Sequence, residues 1–379
     1  MLKKNNYWKK FFIFCCGPGK HQLLRTSLFC IVVSLLTGAL LLLILKKNPI
    51  EAYMSILQGS GILPKLRYAG KKSQLTDFMS LLNYTTPMIF AALSVAVALK
   101  SGIFNICVSG IMVISGFMAT VMIGYTSMNP LLAKLLVVII GIGVGALVGA
   151  LIGWLKYKFN MNEVVVAIML NYIISYVVSF FIQTRFVDPI SRQSVEIGQN
   201  ARLTLFNYDI FGLKMEIPLM FPVALIVVLA LRFLLRRTKF GFELQAVGLN
   251  TKASKYAGIH VGKILVSTMI ISGALAGLAG VTFYVGTNAS IQPRVLPSLG
   301  FDAIAVALLG NLTMIGSMFS SLLVVIFDRG TTYMSSRMSV LREIAAVITS
   351  ILLLFSAIGI FFRSIANKYA QEQEMEGGK

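Results

Sequence analysis

Apolar runs of about 18 residues or more recur along the chain from Thr26 onward, separated by short polar breaks. Each run is long enough to cross the roughly 30 Å hydrocarbon layer as a helix. The pattern predicts spans over residues 26–45, 81–99, 106–125, 131–155, 163–183, 218–235, 264–286 and 344–362. Residues 300–328 form two further short apolar pieces, interrupted by Gly310, Asn311 and Gly316 and ended by Asp328 and Arg329. Strand-type alternation is weak, which argues against a β-barrel. The expected fold class is an all-α polytopic membrane protein with about nine or ten transmembrane helices.

Local signals refine several runs. Pro87 lies inside the second, where Asn83, Thr85 and Thr86 are placed to satisfy a freed carbonyl or to kink the helix. Gly141, Gly145, Gly149 and Gly153 recur every fourth residue and mark a face for close helix packing, as do Gly273, Gly277 and Gly280. Asn162 and Glu163 open the fifth span as a cap and a first-turn acid. The organisation expected is a cytoplasmic N-terminal segment over 1–25, a transmembrane domain over 26–362 and a cytoplasmic tail over 363–379. Residues 46–80 and 184–217 are expected to be extracytoplasmic loops and 236–263 a cytoplasmic loop. The 46–80 loop is itself basic, against the positive-inside bias.

Composition agrees with the pattern. Of 379 residues, 57% are hydrophobic and only 13% charged, about half the charge of a soluble domain. The formal charge of +20 sits mostly at the ends of apolar runs. Anionic headgroups and orientation explain that placement better than nucleic acid does. Cys15, Cys16, Cys30 and Cys107 show no metal-ligand spacing, and two histidines are too few for a metal site.

No phosphate-binding loop, HExxH or GxSxG pattern occurs, so neither catalysis nor ATP hydrolysis is expected of this chain. The informative residues are polar ones placed in apolar surroundings, where each has to meet a partner or a water-filled path. Asn105, Ser109, Asn171, Asp302 and Asn311 are the candidates for a translocation pathway. Asp302 is equally placed to cap the short helix after Gly300. The broken stretch 304–315 has the form of a discontinuous transporter helix or of a packing piece.

The main polar break, FGFELQAVGLNTKASKYAGI over 240–259, divides locally. Phe242, Ala246, Leu249, Ala253 and Ala257 recur at helical spacing. Gly248 interrupts the pattern, Asn250 is placed to cap a second short helix, and Gly258 to end it. Two short surface helices are expected, bound to lipid alone or to a protein.

This stretch resembles the cytoplasmic coupling segment of ABC-transporter permeases for simple sugars, nucleosides and branched-chain amino acids. LKSGIFNICVSGIMVISG, NEVVVAIMLNYI and GFDAIAVALLGNLTMIG resemble further stretches of that family in the same order, from about residue 80 to 330. The second of these is similar to the nucleoside and simple-sugar branch. The sequence departs from the family at Gln245, usually arginine, at Thr251 to Ser254, and at Cys107 and Ile111. The resemblance implies a permease subunit of a multi-subunit importer. It places ATPase coupling on Gly241, Glu243, Gly248 and Asn250. It implies no cofactor on this chain, with ATP and Mg on a partner ATPase, a second and unlike permease, and an extracytoplasmic substrate-binding lipoprotein. An ion-coupled secondary transporter and a non-transporting membrane assembly subunit are the competing readings.

Overall fold

The two glycine stripes meet each other. In the computed structural model, which describes residues 6–19, 22–68, 70–126, 128–210 and 213–377, helix α6 (Pro130–Phe159) lies antiparallel along α11 (Val261–Val281). A Cβ on Gly145 would stand 2.2 Å from the Gly273 carbonyl oxygen, and one on Gly277 2.0 Å from that of Gly141. Lipid supplies no hydrophobic drive between helices, so backbone-to-backbone contact of this kind is what holds such a pair.

The preceding part of the chain forms α1 (Asn6–Cys16), α2 (Gln22–Ile44), α3 (Pro49–Gly59), α4 (Gln74–Lys100) and α5 (Val108–Ala119). After α6 come α7 (Glu163–Phe181), strands β1 (Thr204–Ile210) and β2 (Leu213–Pro218), and α8 (Met220–Arg237). Helices α9 (Lys239–Leu249) and α10 (Thr251–Tyr256) precede α11, and α12 (Leu299–Leu309), α13 (Met314–Met338) and α14 (Arg342–Gly377) follow it. Single π-helical turns extend α5 over Thr120–Gly124, α7 over Ile182–Phe186 and α11 over Thr282–Asn288.

The architecture is that of a polytopic α-helical membrane protein, with fewer full spans than expected. Among the described residues six helices are long and apolar enough to cross a membrane, or seven if α14, bent by 41° between Gly359 and Phe361, is one span. The expectation of nine or ten counted α5, α8 and α12 as well. With its π-helical turn α5 covers only Val108–Gly124, and α12 is shorter still. Helix α8 carries Arg232, Arg236 and Arg237 near its end.

Other boundaries also move. The 46–80 loop is part helix: Asn48 caps α3 through a hydrogen bond from the Ile50 amide (3.0 Å), Pro49 opens it, and α4 begins at Gln74. Asp328 and Arg329 lie within α13 rather than ending it, because the Arg329 guanidinium covers the Tyr84 ring of α4 at 3.7 Å. The C-terminal polar stretch continues α14, whose Glu372 pairs with Lys9 of α1 at 3.2 Å. Thr85 and Thr86 bond the carbonyls of Leu81 and Leu82, and α4 stays unbroken through Pro87. Asn162 caps α7 through the Val164 amide, and Glu163 pairs with Lys156 at 2.7 Å.

One topology occurs twice. In α4–α7 and again in α11–α14, a long helix leads into an extended break, a short helix and two long helices. The halves interlock by exchange: α4 packs on α12 and α13, and α11 on α5 and α6. Where α4 and α11 cross, the Ser94 hydroxyl donates to the Ser272 carbonyl (2.7 Å) and the Ser272 hydroxyl to the Ser94 carbonyl (2.9 Å).

The ends of the bundle are distinct. Both described chain ends gather on one side, α1 against the end of α14, together with α9 and α10. The opposite side carries α3, the β1–β2 hairpin and the loop before α4, joined by a hydrogen bond from the Lys214 amide to the Lys71 carbonyl (3.1 Å).

Candidate functional site: the broken helices and the surface helix pair

Each break leads the chain back into the bundle before its short helix starts. The first follows α4, whose C-cap region places Gly102 at φ +78. The segment turns inward to Asn105, which is fully buried. The Asn105 side-chain amide donates to the Ser272 hydroxyl (2.8 Å), and its carbonyl oxygen accepts from the Cys107 amide (3.0 Å). It thereby ties the break to the Ser94–Ser272 crossing. Asn171 reaches the same break from α7, accepting from the Gly110 amide (2.8 Å) and donating to the Ile106 carbonyl (3.0 Å). A helix start buried away from water leaves its first amides without partners, and Asn171 supplies one.

Helix α12 brings its own first turn to the same place. The Ser109 hydroxyl, at the start of α5, donates to the Pro297 carbonyl (2.9 Å), and a Cβ on Gly300 would stand 2.3 Å from that hydroxyl. Two helix N-termini therefore meet inside the bundle, their positive dipole ends converging. Asp302 lies in the first turn of α12, where its charge faces that positive end, while Ser298 holds the N-cap position.

Asn311 stands apart from the other four. It lies in the turn between α12 and α13 with φ +52, followed by Leu312 at φ +54. Its amide donates to the Ser27 hydroxyl of α2 (2.7 Å). The structure thus brings Asn105, Ser109 and Asn171 together at the first break, with Asp302 on the adjoining first turn of α12 and Asn311 apart.

The Asn250 cap forms as expected, whereas Gly248 does not interrupt the first helix, which runs through it to Leu249. The Thr238 hydroxyl accepts from the Gly241 amide (3.1 Å) at the start of α9, and Asn250 accepts from the Ala253 amide (3.0 Å) at the start of α10. Gly258, at φ +82, follows α10 and turns the chain toward α11. Two contacts fix the pair to the bundle. A Cβ on Gly241 would meet the Leu234 carbonyl at 2.3 Å, and one on Gly248 the Lys100 carbonyl at 2.1 Å. The glycines are there because α9 presses directly on the ends of α8 and α4.

The apolar periodicity is oriented differently from a helix lying on lipid by one face. Leu244 and Val247 are buried toward the bundle. Phe242 (69% exposed), Leu249 (89%) and Tyr256 (93%) project outward. Glu243 lies beside Lys239 at 3.7 Å, one helical turn away.

A cavity of about 680 Å³ lies between the surface pair and the α12–α13 turn. Lys100, Arg232, Arg236 and Gln245 stand on its wall toward α9, and Asn311 on its wall toward the α12–α13 turn. Among the described residues no carboxylate lines it. Gln245 donates to the Leu235 carbonyl (2.7 Å) and the Gly241 carbonyl (3.1 Å), joining α9 to α8 where the family usually has arginine. Sequence reading singled out neither Lys100 nor Arg232, because each looks like an ordinary charge at the end of an apolar run.

With this geometry in place, known proteins bear on it. The family described as branched-chain amino acid transport system / permease component matches residues 78–357. The nucleoside ABC transporter permease NupB of Lactococcus lactis subsp. cremoris (strain MG1363) is 33% identical over 349 residues, covering 89% of this chain and 92% of the relative. The guanosine ABC transporter permease NupP of Bacillus subtilis (strain 168) is 31% identical over 347 residues, covering 91% and 96%. NupC, a nucleoside ABC transporter permease from the same Lactococcus strain, is 26% identical over 257 residues, covering 65% and 79%. The matched region runs from within α4 into α14, taking in both breaks and the surface helix pair, so the chain is a multi-pass membrane protein of the branched-chain amino acid transport system permease family.

Proposed function

We propose that this chain is the permease subunit of an ATP-driven importer of nucleosides, coupled to a separate cytoplasmic ATPase through α9 and α10. The observation that carries the coupling role is the outward set Phe242, Leu249 and Tyr256 on a helix pair pressed against α4 and α8 at Gly248 and Gly241. Apolar side chains projecting from a fixed polar surface suit a partner protein better than water. On this reading the side bearing both termini is cytoplasmic, the hairpin side is extracytoplasmic, and the chain resides in the cell membrane. ATP and Mg act on the partner ATPase.

Asn105, Ser109 and Asn171 serve the pathway by fixing the two helix starts that meet inside the bundle. Asp302 and Asn311 bound the short helix α12 at its two ends. NupB and NupC are two separately named nucleoside permeases of one strain and match this chain at different identities, which supports pairing with a second, unlike permease. An extracytoplasmic binding lipoprotein would deliver substrate at the hairpin side.

The test is co-purification and uptake together. An ATPase subunit is expected to purify with this chain, and uptake of radiolabelled nucleoside into vesicles is expected to stop when ATP is depleted at a constant ion gradient. Uptake that persists without ATP would exclude the importer. Replacing Glu243 with Gln and Gly248 with Ala together is expected to separate ATP hydrolysis from uptake while membrane insertion is retained.

A further inference from the structure

The break after α11 encloses a second cavity, of about 370 Å³, on the side of the molecule away from α9 and α10. That volume lies at the lower end of the roughly 300–1,000 Å³ typical of small-molecule sites. Among the described residues it is lined by Phe283, Tyr284, Asn288, Ser290, Gln292 and Gln193, and by no charged one. Pro297 also lines it, and the Pro297 carbonyl accepts the Ser109 hydroxyl at the junction of the two short helices. The cavity therefore stands directly over that junction.

Three features mark it as built for a ligand. Phe283, Tyr284 and Asn288 lie on the π-helical turn Thr282–Asn288. A π turn hydrogen-bonds from i to i+5, which brings Phe283 and Asn288 to one face, and such turns concentrate at functional positions. Tyr284 is only 5% exposed as a whole, yet its hydroxyl makes no hydrogen bond among the described residues and is not sealed from the cavity that the residue lines. A hydroxyl that opens on a cavity without a protein partner is free to bond a guest. Gln193 accepts from the Ser290 hydroxyl (2.6 Å), which fixes the orientation of its amide, and the side chains of Asn288 and Gln292 are exposed at the rim.

We infer that this cavity is a binding subsite on the permease for an uncharged nucleoside, with the ring of Phe283 offered to the base and Tyr284, Asn288 and Gln292 to its polar edges and the sugar hydroxyls. The inference rests on the nucleoside reading above and adds a site to it. An aromatic face among amides and a hydroxyl suits a flat, neutral, multiply hydrogen-bonding molecule. Without a cation on its walls the cavity gives no counter-charge to a phosphate, so a nucleotide is disfavoured there.

The experiment uses the assembled importer purified without its binding protein, probed by saturation-transfer NMR with guanosine and guanosine 5′-monophosphate. Guanosine is expected to give a signal and the monophosphate a much weaker one. Tyr284→Phe keeps the ring, and Asn288→Ala and Gln292→Ala change exposed side chains. Each is expected to weaken guanosine binding by about fivefold or more, the scale of one lost hydrogen bond to a ligand. Unchanged guanosine binding in all three variants overturns the subsite. So does a wild-type complex that gives no guanosine signal yet imports guanosine once its binding protein is added, and that result leaves the importer reading intact. A wild-type complex that neither binds nor imports any nucleoside overturns both.

Discussion

The first half of the molecule closes its break, whereas the second leaves its break open. Between α4 and α5, Asn105 is fully buried and every polar group of its side chain is paired. Between α11 and α12, Asn288 and Gln292 are exposed, Ala289 and Arg294 take left-handed backbone at φ +59 and +62, and a cavity remains. The halves share one order of elements, so the difference lies in side chains. Asn171 of α7 reaches across to satisfy the first break. At the second, Ser179 of α7 bonds the Arg294 amide (2.6 Å) and Ser194 bonds both backbone groups of Ile291, yet Asn288 and Gln292 stay exposed. The same topology thus yields one rigid joint and one that can hold a guest.

Four substitutions and one control test that contrast, beginning with the joint between the halves. Gly145→Leu places a branched side chain where even a Cβ would stand 2.2 Å from the Gly273 carbonyl oxygen. Loss of the folded protein is expected, read as disappearance of the monodisperse peak in size-exclusion chromatography. Gly143→Leu, at a glycine with open space around it, should leave that peak in place.

Asn171→Ala removes both bonds to the first break and leaves a buried amide and a buried carbonyl unsatisfied, at roughly 1–3 kcal/mol each. Its melting temperature in detergent should fall by several degrees, about in proportion to that loss. Gly248→Ala drives a methyl group against the Lys100 carbonyl and displaces α9 from α4. Uptake is expected to fall by about tenfold at normal expression, since a misplacement of about 1 Å can cost that much or more. Wild-type uptake in Gly248→Ala would show that the α4–α9 contact carries no function. Asn311→Ala has the smallest effect, a loss of about 0.5–1.5 kcal/mol, because its amide's bonds to the Ser27 hydroxyl and, at longer range, to the Leu23 and Leu309 carbonyls lie in a partly open turn outside either break. Equal destabilisation by Asn171→Ala and Asn311→Ala would show that burial at the first break adds nothing to the worth of the Asn171 bonds.

Much of this was legible in the sequence, for reasons that differ by element. The glycine stripes on α6 and α11 were readable because spacing by four has one physical use in lipid, and the two stripes found each other. The caps at Asn250 and Asn162 were readable because capping is local to about three residues. The direction faced by Phe242 and Leu249 was not, because periodicity marks a face without saying what covers it. The duplication was hidden for a similar reason: its halves share an order of elements rather than a short repeat. Asn105, Ser109 and Asn171 stood out as costly polar residues in apolar runs, and the structure gives each a partner from another helix. Tyr284 and Gln292 gave no such signal, since a tyrosine near the end of a span is what any membrane interface shows.

Gly248 has a mechanical consequence. Helix α4, which it touches, runs 27 residues without interruption, about 40 Å at 1.5 Å per residue. Most of that length is enclosed by other helices, so the rod cannot bow to absorb a thrust at its tip. A thrust applied to the surface pair would therefore pass along α4 to the opposite end of the bundle, where the Lys71 carbonyl holds β2. The missing methyl group at Gly248 is what lets α9 bear on the tip of that rod.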